Sequence, residues 1–174
     1  RHHSIGTTTM IIDTHVHIFH KPVIEDRSPF FDGEPEFQLL YDSPKSRTCS
    51  ASNVLDSMDQ HGVDISVICG FPWRDAEHAR ANNDAVIEAV NRHPDRFRGL
   101  ACFDVSWNGA ADECARCLDA GLSGAGELAF YLSGIDSAAL DQLAPVMAVL
   151  KENQNRPLMI HTNEPVGHKY PGKT

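Results

Sequence analysis

Apolar positions along this chain follow two different periods. Short, nearly continuous apolar runs stand at 65–71, 100–105, 123–129 and 157–162, and between them apolar residues recur three and four apart. The runs read as buried strands and the intervening stretches as helices with one apolar face. An earlier run, Met10-Ile11-Ile12, leads into Asp13-Thr14-His15-Val16-His17 and reads as a short buried first strand. Alternate side chains of a strand share a face, so Asp13, His15 and His17 project one way and Ile12, Thr14 and Val16 the other. Val54, Leu55 and Met58 form the stripe of a helix capped by Ser52 or Asn53 and closed at His61-Gly62. Asp75 caps the next, with Ala79, Asn83, Val86, Ile87 and Val90 inward and His93-Pro94 as its stop. A third helix spans 111–120 and is closed by Gly121. Asp136 or Ser137 opens the last, with Leu140, Leu143, Val146, Met147 and Leu150 inward; Pro145 predicts a short turn feeding a second helix. This alternation predicts an α/β fold with a parallel sheet covered by helices.

Two segments stand outside the alternation. Residues 1–9 begin Arg-His-His-Ser and read as a tag remnant, with Met10 as the expected native start and residues 10–174 as one domain. Residues 18–50 carry Pro22, Pro29, Pro35 and Pro44 among Phe19, Phe30, Phe31, Phe37 and Tyr41. So long a loop is expected either to form a lid over the mouth of a site or to be a packed insertion.

Composition narrows the partners. A formal charge of −9 argues against a nucleic-acid surface, and no long uncharged apolar run spans a membrane. A small-molecule substrate and protein partners stay open. With no signal peptide in view, a reducing cytoplasm is the expected compartment, and the five cysteines fit free thiols. Cys114-x-x-Cys117 is half a zinc knuckle without a second pair, and its spacing suits the apolar face of a helix shared with Leu118.

The chemistry gathers at strand ends. His15 and His17 close the first strand, Glu127 lies in the fourth within Gly124-Ala125-Gly126-Glu127-Leu128, and His161 closes the fifth within Leu158-Met159-Ile160-His161-Thr162. The carboxyl ends of strands in a parallel barrel open on one face, so three imidazoles and a carboxylate can hold one or two divalent ions there. Asp13 either orients His15 from below or caps local backbone. After the second strand, Trp73 is a candidate apolar wall and Arg74 a candidate grip on a substrate anion, the alternative being an ion pair with Asp75 or Glu77. Glu164 and His168, in the loop after the fifth strand with Asn163 and Lys169, are further substrate-contact candidates, and Asp104 is another. His20, His61, His78 and His93 are expected to be solvated.

These motifs carry a resemblance. Ile12-Asp13-Thr14-His15-Val16-His17, Gly126-Glu127-Leu128 and Ile160-His161-Thr162-Asn163-Glu164-Pro165 resemble the amidohydrolase superfamily of metal-dependent hydrolases, close to its amidohydrolase-2 and TatD-like branches. The resemblance implies a (β/α)8 TIM barrel, of which this chain would form about five parallel βα units, since a whole barrel takes about 250 residues. It also implies a divalent metal, zinc or manganese, that activates water to attack a small amide, ester, lactone or related substrate. The glutamate looks like the TatD-like variant of a bridging carboxylated lysine. The aspartate that handles the proton of the attacking water is expected beyond residue 174, which makes a catalytically incomplete metal-binding fragment one alternative. A metal-dependent decarboxylase on the same scaffold is the other. Two unpaired sheet edges would favour a homo-oligomer.

Overall fold

The computed structural model describes residues 9–162. Its sheet holds five strands in the order β1-β2-β3-β4-β5: β1 Ile12–His17, β2 Ile65–Cys69, β3 Phe97–Ala101, β4 Gly124–Leu128 and β5 Leu158–Ile160. Every neighbouring pair is parallel, as apolar strands separated by helices require. The helices are α1 Lys21–Glu25, α2 Pro35–Tyr41, α3 Ala51–His61, α4 Ala76–Arg92, α5 Ala110–Asp119 and α6 Ser137–Glu152. The result is a half-barrel with β1 and β5 at the edges of the described sheet. None of the described helices is long and apolar enough to cross a membrane.

Edge position decides the exposure of β1. Ile12 is 48% exposed and Met10 and Ile11 are more so, because β1 is an edge strand among the described residues. Two strands also carry an irregularity. Between Asp13 and Val16, β1 holds one residue more than its partner stretch Ser66–Ile68. Between Ala125 and Leu128, β4 likewise holds one more than Leu158–Ile160. Such bulges re-aim side chains, and they fall at His15 and at Glu127, two of the expected metal ligands.

Segment 18–50 folds into α1, a 3-10 turn at Ser28–Phe31 and α2. Phe37 is fully buried against Phe71 and Trp73, with ring centroids 5.2 and 4.4 Å away. The buried Glu34 carboxylate accepts from the backbone N–H groups of Arg74 and Asp75 at 3.1 and 2.8 Å. These contacts fasten the segment to the β2–α4 loop.

Several boundaries differ from the sequence pattern. Helix α3 is capped by Ser50, whose hydroxyl accepts from the Asn53 N–H while the Asn53 side chain accepts from the Ser50 N–H. Three capping-type residues crowd there, and only the reciprocal pair satisfies two free donors. Gly62 closes α3 at φ 70°, as left-handed termination needs. Strand β3 pairs from Phe97 and ends at Ala101; the apolar residues beyond it stay buried, but the Cys102 N–H donates to Asn83 Oδ1 instead of a strand. Helix α6 runs unbroken through Pro145. Its orphaned acceptor, four residues back at Asp141, lies on the exposed face, where water can satisfy it, while Leu143, Val146 and Leu150 keep one buried stripe.

Candidate metal centre

The four proposed ligands converge at the carboxyl end of the sheet. His15 Nε2, His17 Nε2 and Glu127 Oε2 form a triangle with sides of 3.1, 3.2 and 3.3 Å. His161 Nδ1 lies 2.9 Å from the other carboxylate oxygen, Oε1. In a flat sheet β1 and β4 would stand about 14 Å apart, so the curl of the sheet is what brings them together across its concave face.

The hydrogen bonds around His17 set its tautomer. Nδ1 lies 2.7 Å from the Gly70 carbonyl, which can only accept, so a proton belongs on Nδ1, and Nε2 points into the triangle, where it donates to Glu127 when protonated and offers a lone pair when a cation displaces that proton. Burial pulls the His17 pKa down, but hydrogen bonds with Cys69 and Glu127 and the carbonyl of Gly70 lift it to about 11. Burial pushes Glu127 up, yet the hydrogen bonds from His161 and His17 hold it well below the usual carboxylate range. A negative oxygen ringed by imidazole nitrogens calls for positive charge, which a proton on His17 Nε2 or a cation in its place supplies.

A divalent ion fits this donor set. Ligands sharing an ion at about 2.1 Å stand about 3.0–3.4 Å apart, which matches the triangle. Glu127 is 6% exposed and sits in a strand whose glycines leave no slack: a methyl group on Gly126 would approach Met159 Cβ and O to 2.6 Å. Tyr131 packs on the His161 ring at 4.9 Å between centroids. Cys69, read from sequence only as a free thiol, closes β2 beside the site. Its Sγ and one nitrogen each of His15 and His17 all lie within 4.8 Å of one another. A single cysteine has no spacing to betray it, so only the strand count could have pointed there.

The other candidates fare differently. Asp13 accepts from the His15 backbone N–H at 3.2 Å, the local cap rather than the support of an imidazole. Trp73, expected as an apolar wall, is fully buried between Phe37 and Phe71 and donates from Nε1 to Asn82; it plugs the base of the loop and offers no face to a substrate. Arg74 pairs with Glu36 and lies 3.8 Å from Asp104, not with Asp75 or Glu77, so two carboxylates already occupy its guanidinium. His20 and His78 are half-buried against Phe30 rather than solvated, while His61 and His93 are exposed. Cys114 and Cys117 are fully buried core residues. Glu164 and His168, with Asn163 and Lys169, lie outside the described residues, as do residues 1–8 of the expected tag.

Comparison with known proteins agrees with the architecture. The model of the Amidohydrolase family matches residues 12–173. No curated protein matches the chain. Among solved structures, it resembles 5-carboxyvanillate decarboxylase from Novosphingobium aromaticivorans, complexed with manganese and 4-hydroxy-3-methoxy-5-nitrobenzoic acid, at 22% identity and TM-score 0.65 over 88% of this chain and 50% of that one. It also resembles 2,6-dihydroxybenzoate decarboxylase complexed with 2,6-dihydroxybenzoate, at 21% identity and TM-score 0.59 over 90% of this chain and 52% of that one. A third likeness is to a probable 2-pyrone-4,6-dicarboxylic acid hydrolase from Acinetobacter baumannii with citric acid bound, at 16% identity and TM-score 0.51 over 89% of this chain and 50% of that one. The chain thus spans about half the length of these structures.

Proposed function

Since the chain belongs to the amidohydrolase family, we propose that it supplies the metal-holding residues of a metal-dependent hydrolase acting on a small amide, ester, lactone or related substrate. The observation that carries this reading is the division of the Glu127 carboxylate. One oxygen faces His15 and His17 while the other faces His161, as a carboxylate bridging two ions would. One or two divalent ions suit the set: imidazole and carboxylate ligands accept zinc, and manganese is the ion in one similar structure.

Each residue then has a task. His17, with its proton held on Nδ1 by Gly70, presents Nε2 as a lone pair. His15, from the same strand, closes the second corner. Glu127 supplies the negative charge that offsets the ion, and His161 holds its far oxygen. A bound divalent ion contributes Lewis acidity, acidifying water and polarising the carbonyl under attack.

Decarboxylation on the same scaffold is the second reading, favoured by the likeness to two decarboxylases. Both readings are tested on the full-length protein loaded with zinc or manganese and assayed in parallel for ester and lactone hydrolysis and for carbon dioxide release from carboxylated phenols. The hydrolase reading expects hydrolysis, lost on chelation and in His15→Ala and His161→Ala. Carbon dioxide release without hydrolysis transfers the assignment to the second reading. Activity that survives chelation and both substitutions rejects the two together.

A further inference from the structure

We infer that Asn82, on the helix behind the sheet, is a positioning residue for His17; this rests on the metal reading above. Asn82 is fully buried. Its amide orientation is set by a neighbour that can only donate: the Trp73 indole N–H gives its proton to Asn82 Oδ1 at 2.9 Å, which makes the other end the Nδ2 donor. That end donates to the Ile18 carbonyl at 3.0 Å, one residue after His17. The face of the same amide lies against Gly70, where an added methyl group would meet Asn82 Cγ at 2.8 Å. The Gly70 carbonyl in turn accepts from His17 Nδ1 at 2.7 Å.

One side chain therefore grips the backbone on both flanks of the imidazole. It fixes where β1 leaves the sheet and how far the Gly70 carbonyl stands from the ring, and with that the direction of the Nε2 lone pair. Gly70 has no left-handed backbone to demand glycine; the pressure of Asn82 is the reason a side chain is excluded there. Asn82→Asp keeps the shape but sets a carboxylate oxygen opposite the Ile18 carbonyl, acceptor against acceptor. Gly70→Ala keeps the amide but drives it off the β2 end.

The test uses cobalt(II) alone as probe, on the full-length protein, reading affinity and the visible absorption spectrum at saturation. Asn82→Asp, Asn82→Ala and Gly70→Ala are compared with Val86→Ala, a buried truncation on the same helix that makes no polar contact with the site. Loss of a group that orients a metal ligand weakens affinity about tenfold or more. The three site variants are expected to show that loss and an altered spectrum at full occupancy, while Val86→Ala lowers Tm with spectrum and affinity unchanged. Should Asn82→Asp not fold, the other two carry the same comparison. Cobalt binding by the wild type, with unchanged affinity and spectrum in the site variants, overturns this inference and leaves the metal reading standing. Absence of cobalt uptake by the wild type overturns the metal reading and the inference with it.

Discussion

Gly126 shows how much one residue decides. Its φ of 138° and its contact with Met159 forbid a side chain, and it directly precedes the carboxylate that the three imidazoles surround. Gly126→Ala is expected to cost about 2–3 kcal/mol, read by denaturant unfolding, and to abolish metal uptake in the fraction that still folds. Trp73 is the converse case, since an aromatic residue just past a strand end serves equally as a pocket wall or as a plug. The deciding partner, Phe37, lies in another element and gives no local signal. Trp73→Phe keeps the packing but leaves Asn82 Oδ1 without its donor, and a buried acceptor so orphaned costs about 1–3 kcal/mol; a drop in Tm checks it. Which residues meet was legible where type and spacing coincide, as in His15 and His17, and illegible where a single Cys69 or Gly70 stands beside them through its place in the sheet.

Helices and strands were legible from their apolar periods, although Leu140 and Met147 of α6, expected inward, face outward, and Asp75, Asp136 and Gly62 mark ends by mechanisms that sequence displays. Bulges were not, because an extra residue in β1 or β4 leaves the apolar run intact and shows only in the pairing. Segment 18–50 read as loop because its helices are too short for a period to repeat. A buried junction joins α4 to α5: Glu113 accepts from Asn83 Nδ2 at 2.9 Å and, through both oxygens, from Arg116 at 2.8 Å. Burial pushes the Glu113 carboxyl up, but the bonds from Arg116 and Asn83 hold it below its ordinary 4.5. A depressed folded value means the contribution is whole above about 4.5 and is lost as pH falls through the folded value. Stability measured by urea unfolding should therefore fall on acidification through that range, and Glu113→Gln should flatten the fall. In α6, Pro145→Ala restores a donor to the Asp141 carbonyl and should add about 2 kcal/mol, seen as a raised urea midpoint.

Across the whole molecule, the parallel sheet and the convergence of strand ends were legible, because alternation of strand and helix leaves few ways to connect. What sequence could not show is which side chains would meet, since that depends on the curl of the sheet and on two local extra residues. The ligand set comes from both ends of the strand order: His15 and His17 from the outer strand β1, Glu127 from β4, and His161 immediately after the outer strand β5. Metal removal should therefore raise amide hydrogen exchange in β1 and β5, which carry or adjoin three of the four proposed ligands, more than in β2 and β3; equal changes in all strands would contradict it. An ion seated among these side chains is a cross-tie over an arch: it takes no part in the backbone ladder, yet it sets how tightly the arch is drawn.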